Sequence, residues 1–573
     1  MKLAAILLAG AGCLLGQPEL AIEYRNGVAR AVVRHAATDA PVTEQDPARP
    51  GEALVAETGE LEEGTRVFVG THEVAATAAG PGRIAFHVPG DAAGSFVSLT
   101  LADSRGRTPE ATFPVNGIED GIQLAAAEVR ELVTTAAMAL DAPGLAVAVV
   151  DRAGRPLGLF RRPAATDDAV ETALSLARTG AFFSHNEAPL SSRTVRFIST
   201  ENFPEGIPNQ PAAALFGIEL TNRGCLLSND YLPGKEIPRS RDRNGAGTSK
   251  GITTVPGGVP IFRNGVINVG GIGVAGVDPD AAEFAAVSAV IGKFFRALPL
   301  PPPGAVFIDG FRLPFVDQTT RPPGTSPAPA LNGSFLFEPV SGNPVPDGWL
   351  IGPKAGSRLT AGDVRQIIES AVARAERTRA QIRLPLGTRA KFMFAVADVD
   401  GTILGLFRQP DATIFSIDVA ATKARNVIYF SSPTRRQDDL PGVPPGIAVT
   451  NRTIGFGAQS FFPSGIFNST RGPFRDLFEY DRANPCTQGR GGAGPNSSGI
   501  VFFPGAAALY RGDQIVGGFG VSGDGVEQDD YVTAGGIVGY EAPPDRRADT
   551  VFIDTPLGKV RLPYLKFPRN PEQ

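Results

Sequence analysis

Two arginines stand at matching places in this chain, each after an alanine and before an aromatic pair: Arg178 ahead of Phe182-Phe183, and Arg425 ahead of Tyr429-Phe430. A guanidinium there offers a planar fork of N–H donors that suits a ligand carboxylate. The competing reading is a structural ion pair. Arg193-Thr194 and Arg452-Thr453 form a second matched pair with the same two readings. Histidine is scarce: His35, His72 and His87 lie near the N-terminus, and His185 lies alone beyond them. His185 reads either as a haem or metal ligand or as a loop-stabilising side chain, and Ser432 occupies its counterpart position. The chain has no Cys-x-x-Cys-His run for covalent haem. No histidine falls near Cys225 or Cys486, so no Ser-His-Asp or Cys-His catalytic set is supported. Met138 and Met393 sit in apolar runs and read as core.

The acidic residues permit two chemistries. Asp398-Val399-Asp400-Gly401 opens like a calcium loop, but the following positions lack the oxygen ligands and terminal glutamate of one. An Asp-Gly hairpin turn fits better. Asp278, Asp280, Glu527, Asp529 and Asp530 begin the last helix of each unit, where capping and the helix dipole favour carboxylates. A hard-cation site on Asp398, Asp400, Glu527 or Asp529 is the alternative. Gly270, Gly271, Gly273 and Gly276 sit inside a strand-rich hairpin without the helix that a dinucleotide loop requires. Close packing against a helix explains them.

These residues are positioned by an internal repeat. LAVAVVDRAGRPLGLFR at 145–161 answers to FMFAVADVDGTILGLFR at 392–408 without a gap. SRTVRFISTENFPEGI at 192–207 answers to 450–466, and VGGIGVAG at 269–276 to VGGFGVSG at 516–523. In the first copy, apolar spacing predicts a helix over 119–140, stopped by Asp141-Ala142-Pro143-Gly144. Strands at 145–151 and 155–161 flank a tight turn, and a second helix spans 167–183. A hairpin of 259–263 and 266–275 turns at Asn264-Gly265, and a helix starts near Pro279. The second copy repeats this order, with Gly512-Asp513 in the hairpin turn. The fold class is α+β, with mostly hairpin connections and helices against each sheet.

The two hairpin blocks, the ETALSLARTGAFF and ATKARNVIYF helices, and the final hairpins resemble the GlcG/HbpS family. That haem-binding-protein-like group includes the C-terminal domain of PduO-type proteins. Lys423-Ala424-Arg425 resembles its central helix, and Glu527-Gln528-Asp529 the start of its last helix. The resemblance implies a profilin-like fold, homo-oligomerisation and, in some members, binding or slow degradation of haem. It covers roughly 117–300 and 358–545. The stretch VFVGTHEVAATAAGPGRIAFHVPG resembles the small Ig-like β-sandwich domain attached to many secreted soil-bacterial proteins, a spacer or adhesion module.

The expected organisation is a signal peptide at 1–16, an Ig-like domain at 22–115 and a first unit at 116–300. A Pro/Gly-rich connection at 301–357, a second unit at 358–548 and a C-terminal segment at 549–573 follow. Lys2 before the apolar run Leu3–Leu15 reads as an export signal too short to span a bilayer of ~20 residues. Cys13 after Ala11-Gly12 offers a lipid anchor as an alternative to simple cleavage. No other run is long and apolar enough for a membrane span. A formal charge of -5 gives no reason to propose nucleic acid. Cys225 and Cys486 hold nearly equivalent places in the two units. A two-fold contact between the units, as in a pseudo-dimer, would let them bridge, with two free thiols as the alternative. The expected function is an exported, non-catalytic small-molecule-binding protein, with haem implied by resemblance alone. An enzyme using Arg178 and Arg425 as clamps for a carboxylated or aromatic metabolite is one alternative, and an envelope assembly protein another.

Overall fold

The computed structural model describes residues 18–225, 250–291 and 311–572, together with the two-residue strands Leu7–Leu8 and Phe307–Ile308. It is interrupted at 26–27, 44–45, 71, 91, 93–95, 110, 117–122, 187, 206, 264–266 and 384–386. The proposed cleavage site, Cys13 and the Asn264-Gly265 turn lie outside the described residues.

Residues 18–116 fold as two sheets on one core. A four-stranded sheet orders Val33–His35, Ala53–Glu57, Arg83–His87 and Ala76–Gly80. The larger sheet includes Ala111–Pro114, Phe96–Asp103 and Arg66–Val69. Leu54, Phe86, Leu99, Leu101 and Phe113 from both sheets close the core. Each such side chain contributes about 1.5–3 kcal/mol when fully buried.

The first repeat unit begins with helix α1, Ala126–Ala139, shorter at its start than the spacing predicts. Strands Ala146–Asp151 and Pro156–Arg161 form the first hairpin. Gly154 makes its turn with φ 82°, and a side chain there would strike the ring of Phe182. Helix α2 runs Asp167–Phe183, as predicted: the Thr166 hydroxyl accepts from Ala169 N–H, and the chain extends again at Ser184. A short helix α3, Ser192–Phe197, follows. The terminal hairpin is Gly258–Arg263 and Ile267–Ala275, and helix α4, Pro279–Val290, is capped by Asp278. Helices α1 and α4 pack on one face of the antiparallel sheet, and α2 on the other.

The second unit repeats this with α5, Ala361–Ala375; α6, Ser416–Ser431; α7, Asn451–Gly457; and α9, Val526–Gly536, and adds α8, Arg475–Ala483, for which the described residues of the first unit hold no counterpart. Its sheet orders Gly348–Ile351, Ile403–Arg408, Phe392–Ala397, Gln514–Gly523 and Ala506–Arg511. The terminal-hairpin glycines let each central helix lie directly on its sheet. A Cβ on Gly271 or Gly273 would overlap the carbonyls of Ala177 and Ala173. On Gly518 or Gly520 it would overlap those of Ala424 and Ala420. The connection between the units adds an edge strand to each sheet: Ser334–Phe337 pairs with Pro156–Arg161, and Gly348–Ile351 with Ile403–Arg408.

One core, running from Ala146 and Phe182 through Ile198 to Met393, Phe415 and Ala424, is shared by both units. Phe183 stacks on Phe415 with centroids 4.2 Å apart, and Ile414 N–H donates to Phe182 O at 3.1 Å. Cys225 and Cys486 form a disulfide across this seam. No helix among the described residues is long and apolar enough to cross a membrane.

Candidate functional site

The matched arginines of the central helices are fully buried and do the same thing twice. Arg178 Nε donates to Gly154 O at 3.0 Å, and Arg425 Nε to Gly401 O at 2.8 Å. Each guanidinium therefore ties its helix to the turn of its own first hairpin, and burial pushes Arg425 down to about 10. Arg193 pairs with Glu283 and Asp280, each at 2.9 Å, and Arg452 pairs with Asp530 at 2.5 Å. These two pairs hold α3 to α4 and α7 to α9.

His185 is 0 % exposed. Its Nδ1 accepts from Ala188 N–H at 3.1 Å, which leaves the proton on Nε2. The Ile382 backbone of the second unit lies beside the ring. Burial, reinforced by the positive charges of Arg383 and Arg152, holds its pKa well below the ordinary histidine value. The imidazole is neutral. Around it runs a buried ionic chain across the seam: Arg152 to Asp411, Asp411 to Arg383, and Arg383 to Asp524. Burial alone would raise the Asp411 carboxyl, but the two guanidinium groups outweigh it and hold it far below the usual carboxylate range.

A second polar link crosses the seam beside the disulfide. Arg223 pairs with Asp481 at 2.8 Å, and Asn222 N–H donates to Asp418 at 2.7 Å. Burial pushes Asp481 up to about 7 and Asp418 to about 6.

The acidic candidates are dispersed. Asp398 accepts from Ser357 N–H at 2.6 Å and Ser357 Oγ at 2.8 Å, and Asp400 accepts from Thr402 N–H at 2.8 Å within its turn. Glu527 pairs with Lys566 at the surface. Asp529 is buried against Lys423 at 2.9 Å, and Lys423 also donates to Val521 O. Burial raises Asp529 to about 7 and lowers Lys423. Among the described residues no three acidic, histidine or cysteine side chains gather as a metal site.

The structure thus brings Cys225 to Cys486 and places His185 in the seam, whereas each repeated arginine stays within its own unit. Sequence reading missed the seam charges Arg152, Arg383, Asp411 and Asp524, and the Lys423–Asp529 pair. A signal for the latter existed. In the repeat register Leu176 and Ala282 replace both members, and they flank Gly257 as Lys423 and Asp529 flank Gly505.

A family model described as "Haem degrading protein HbpS-like" matches residues 123–291 and 359–537, together more than half of the chain. The corrinoid adenosyltransferase PduO of Salmonella typhimurium is 26% identical over 171 residues, which is 30% of this chain and 35% of that protein. The chain therefore spans about a third of that relative's length. Among solved structures, a PduOC–haem complex is 19% identical and covers 32% of this chain and 96% of its own, with a TM-score of 0.21. A crystal structure of HbpS is 22% identical and covers 30% and 94%, with a TM-score of 0.18. A double mutant of Streptomyces reticuli HbpS, also 22% identical, covers 30% and 88%, with a TM-score of 0.19. Through two successive units that each match its model, the chain belongs to the HbpS-like family.

Proposed function

We propose that this chain is an exported, non-catalytic small-molecule-binding protein in which two profilin-like units act as a pseudo-dimer. The observation that carries the small-molecule part of the reading is the match of both units to one family described as haem degrading. The shared core, the disulfide and the ionic chain support a permanently assembled pair. The N-terminal two-sheet domain is read as an Ig-like spacer, and the apolar run after Lys2 as the export signal.

Haem is the first ligand to test, on family resemblance alone. Its iron takes a histidine, cysteine, methionine or tyrosine from a protein. His185 is closed off in the seam, Cys225 and Cys486 are bonded to each other, and Met393 is buried within its sheet. These four side chains do not fit an open axial position, and no chemistry at iron is assigned to them. The matched arginines already donate to turn carbonyls, which speaks against Arg178 and Arg425 as clamps for a ligand or substrate carboxylate alike.

The test is titration of the exported, disulfide-intact protein with haem, followed by absorbance. A saturable Soret change without loss of the porphyrin is expected. A protein that stays spectrally silent in excess haem would reject haem as the ligand. Conversion of the porphyrin to a bilin would overturn the non-catalytic reading.

A further inference from the structure

Beyond the last helix of each family unit the chain repeats a fourth block. Val306-Phe307-Ile308-Asp309 and Arg312-Leu313-Pro314-Phe315 answer to Val551-Phe552-Ile553-Asp554 and Arg561-Leu562-Pro563-Tyr564. Both blocks lie outside the residues matched by the family model, which ends at 291 and 537. In each, a short hairpin, Phe307–Ile308 with Phe311–Arg312 or Phe552–Thr555 with Gly558–Arg561, leads into a strap without regular secondary structure.

The two straps are held by the same contacts. The Pro314 carbonyl accepts from Thr194 Oγ1 at 2.6 Å, and that of Pro563 from Thr453 Oγ1 at 2.7 Å. The Phe315 carbonyl accepts from Ser191 Oγ, and that of Tyr564 from Thr450 Oγ1 at 2.7 Å. Two or three residues further on, the strap backbone donates to the helix carboxylate: Asp317 N–H to Glu283 at 3.1 Å, and Lys566 N–H to Asp530 at 3.0 Å. Leu313 and Leu562 are buried, as is the Tyr564 ring. A main-chain carbonyl pair met by two hydroxyls, a backbone N–H met by a carboxylate, and an apolar seat for the leucine make a peptide-recognition surface: backbone contacts fix the segment and side-chain seats read it.

We infer that each unit carries a groove that recognises a peptide segment of the form Leu-Pro-aromatic, walled by α3 and α4 or by α7 and α9, and that the straps are its built-in occupants. The groove takes the same segment from a separate peptide when its own strap is withdrawn. This reading is independent of haem. A tethered occupant competes at an effective concentration on the order of millimolar, so an outside peptide is excluded while the strap is seated.

The test uses the full chain carrying Leu562→Asp, which removes the strap's buried anchor, and a labelled peptide with the sequence of residues 557–573. Saturable binding is expected, roughly tenfold or more tighter than to the parent chain. An unlabelled peptide of residues 306–318 should compete, and a scrambled peptide should not. No binding to a variant with native circular dichroism and an intact disulfide, or equal binding of the scrambled peptide, would overturn the inference. Should that variant not fold, the parent chain is cut at a protease site placed in the exposed 556–557 turn and offered excess labelled peptide. Exchange of the severed strap supports the groove. A strap that leaves without rebinding, or stays without exchanging, overturns it.

Discussion

The second unit should tolerate the first unit's version of its buried ion pair, although it should not tolerate losing half of it. Lys423 Nζ and the Cβ of Asp529 lie where a Cβ on Gly505 would meet them at 2.7 Å each; Leu176 Cδ1 and Ala282 Cβ lie at 3.2 and 3.1 Å from the same point on Gly257. The surroundings therefore match, and only the charge differs. Lys423→Leu leaves Asp529 as a carboxyl in apolar surroundings, and Asp529→Ala leaves Lys423 without its counter-charge. Each single change should cost about 3–5 kcal/mol, because it leaves either the Lys423 charge without its partner or a buried Asp529 carboxyl without its hydrogen-bond donor. The double variant Lys423→Leu/Asp529→Ala removes both desolvation penalties and leaves a void of carboxylate size worth about 1 kcal/mol. It should fall within about 2 kcal/mol of the parent. Trp349 is the only tryptophan, lies on the edge strand of this unit's sheet and packs edge-on against Phe407. Its fluorescence in a urea titration therefore reports the loss of packing at this sheet. A double variant as damaged as the sum of the two singles would refute the equivalence of the sites. Singles that change nothing would refute the burial of the pair.

Acidity gives an independent reading of the same pair: burial raises the Asp529 carboxyl to about 7 in the folded chain, above its unfolded value of about 3.9. The folded state then holds the extra proton between those values, so this group's contribution to stability falls as pH rises through that window. Lys423, lowered by burial, contributes with the opposite sign towards alkaline pH, so the parent-minus-double difference in urea midpoint should decline between pH 5 and pH 7, and a flat difference there would contradict the assignment. His185 acts in the opposite sense, because its lowered folded pKa means that stability is lost as pH falls below its unfolded value of about 6.5. Cys225→Ser/Cys486→Ser should cost about 2–4 kcal/mol, and peptide mapping of the parent without reductant should recover the two cysteines linked. Gly271→Ala and Gly518→Ala drive a Cβ into a helix carbonyl and should cost about 1–3 kcal/mol or more by thermal melting. Gly90→Ala, with open space around it, should be silent.

The repeat made the inner architecture legible. Helix α2 spans the expected 167–183, and the structure supplies the reason at each end: the Thr166 hydroxyl caps its start and the chain extends again at Ser184. Equivalence of place in the two units made the cysteine pairing one of two readings, and the disulfide decides it against two free thiols. The seam charges escaped because a repeat search finds what the copies share. Asp411 and Arg152 have Ala164 and Val399 at their counterpart positions, and an interface formed by unlike residues leaves no internal echo. The Lys423–Asp529 pair lay in the same blind spot, visible only as a joint change from Leu176 and Ala282. The straps were legible in principle, but hairpins of different length separate VFID from RLP in the two copies and break the register. The edge strands Ser334–Phe337 and Gly348–Ile351 are four-residue runs within Pro/Gly-rich sequence, where pairing partners rather than local pattern decide the structure.

Those two edge strands make the duplication hard to undo. A cut at 300 or at 358, where composition marks the units as separable, would strip a strand from one sheet or the other. Phe160 would lose the edge-on ring of Phe335, and Phe407 that of Trp349. The bared backbone of Pro156–Arg161 or Ile403–Arg408 would then be an open template for self-association. The connection is part of both sheets, so either unit expressed alone needs its share of that segment to keep its edge covered.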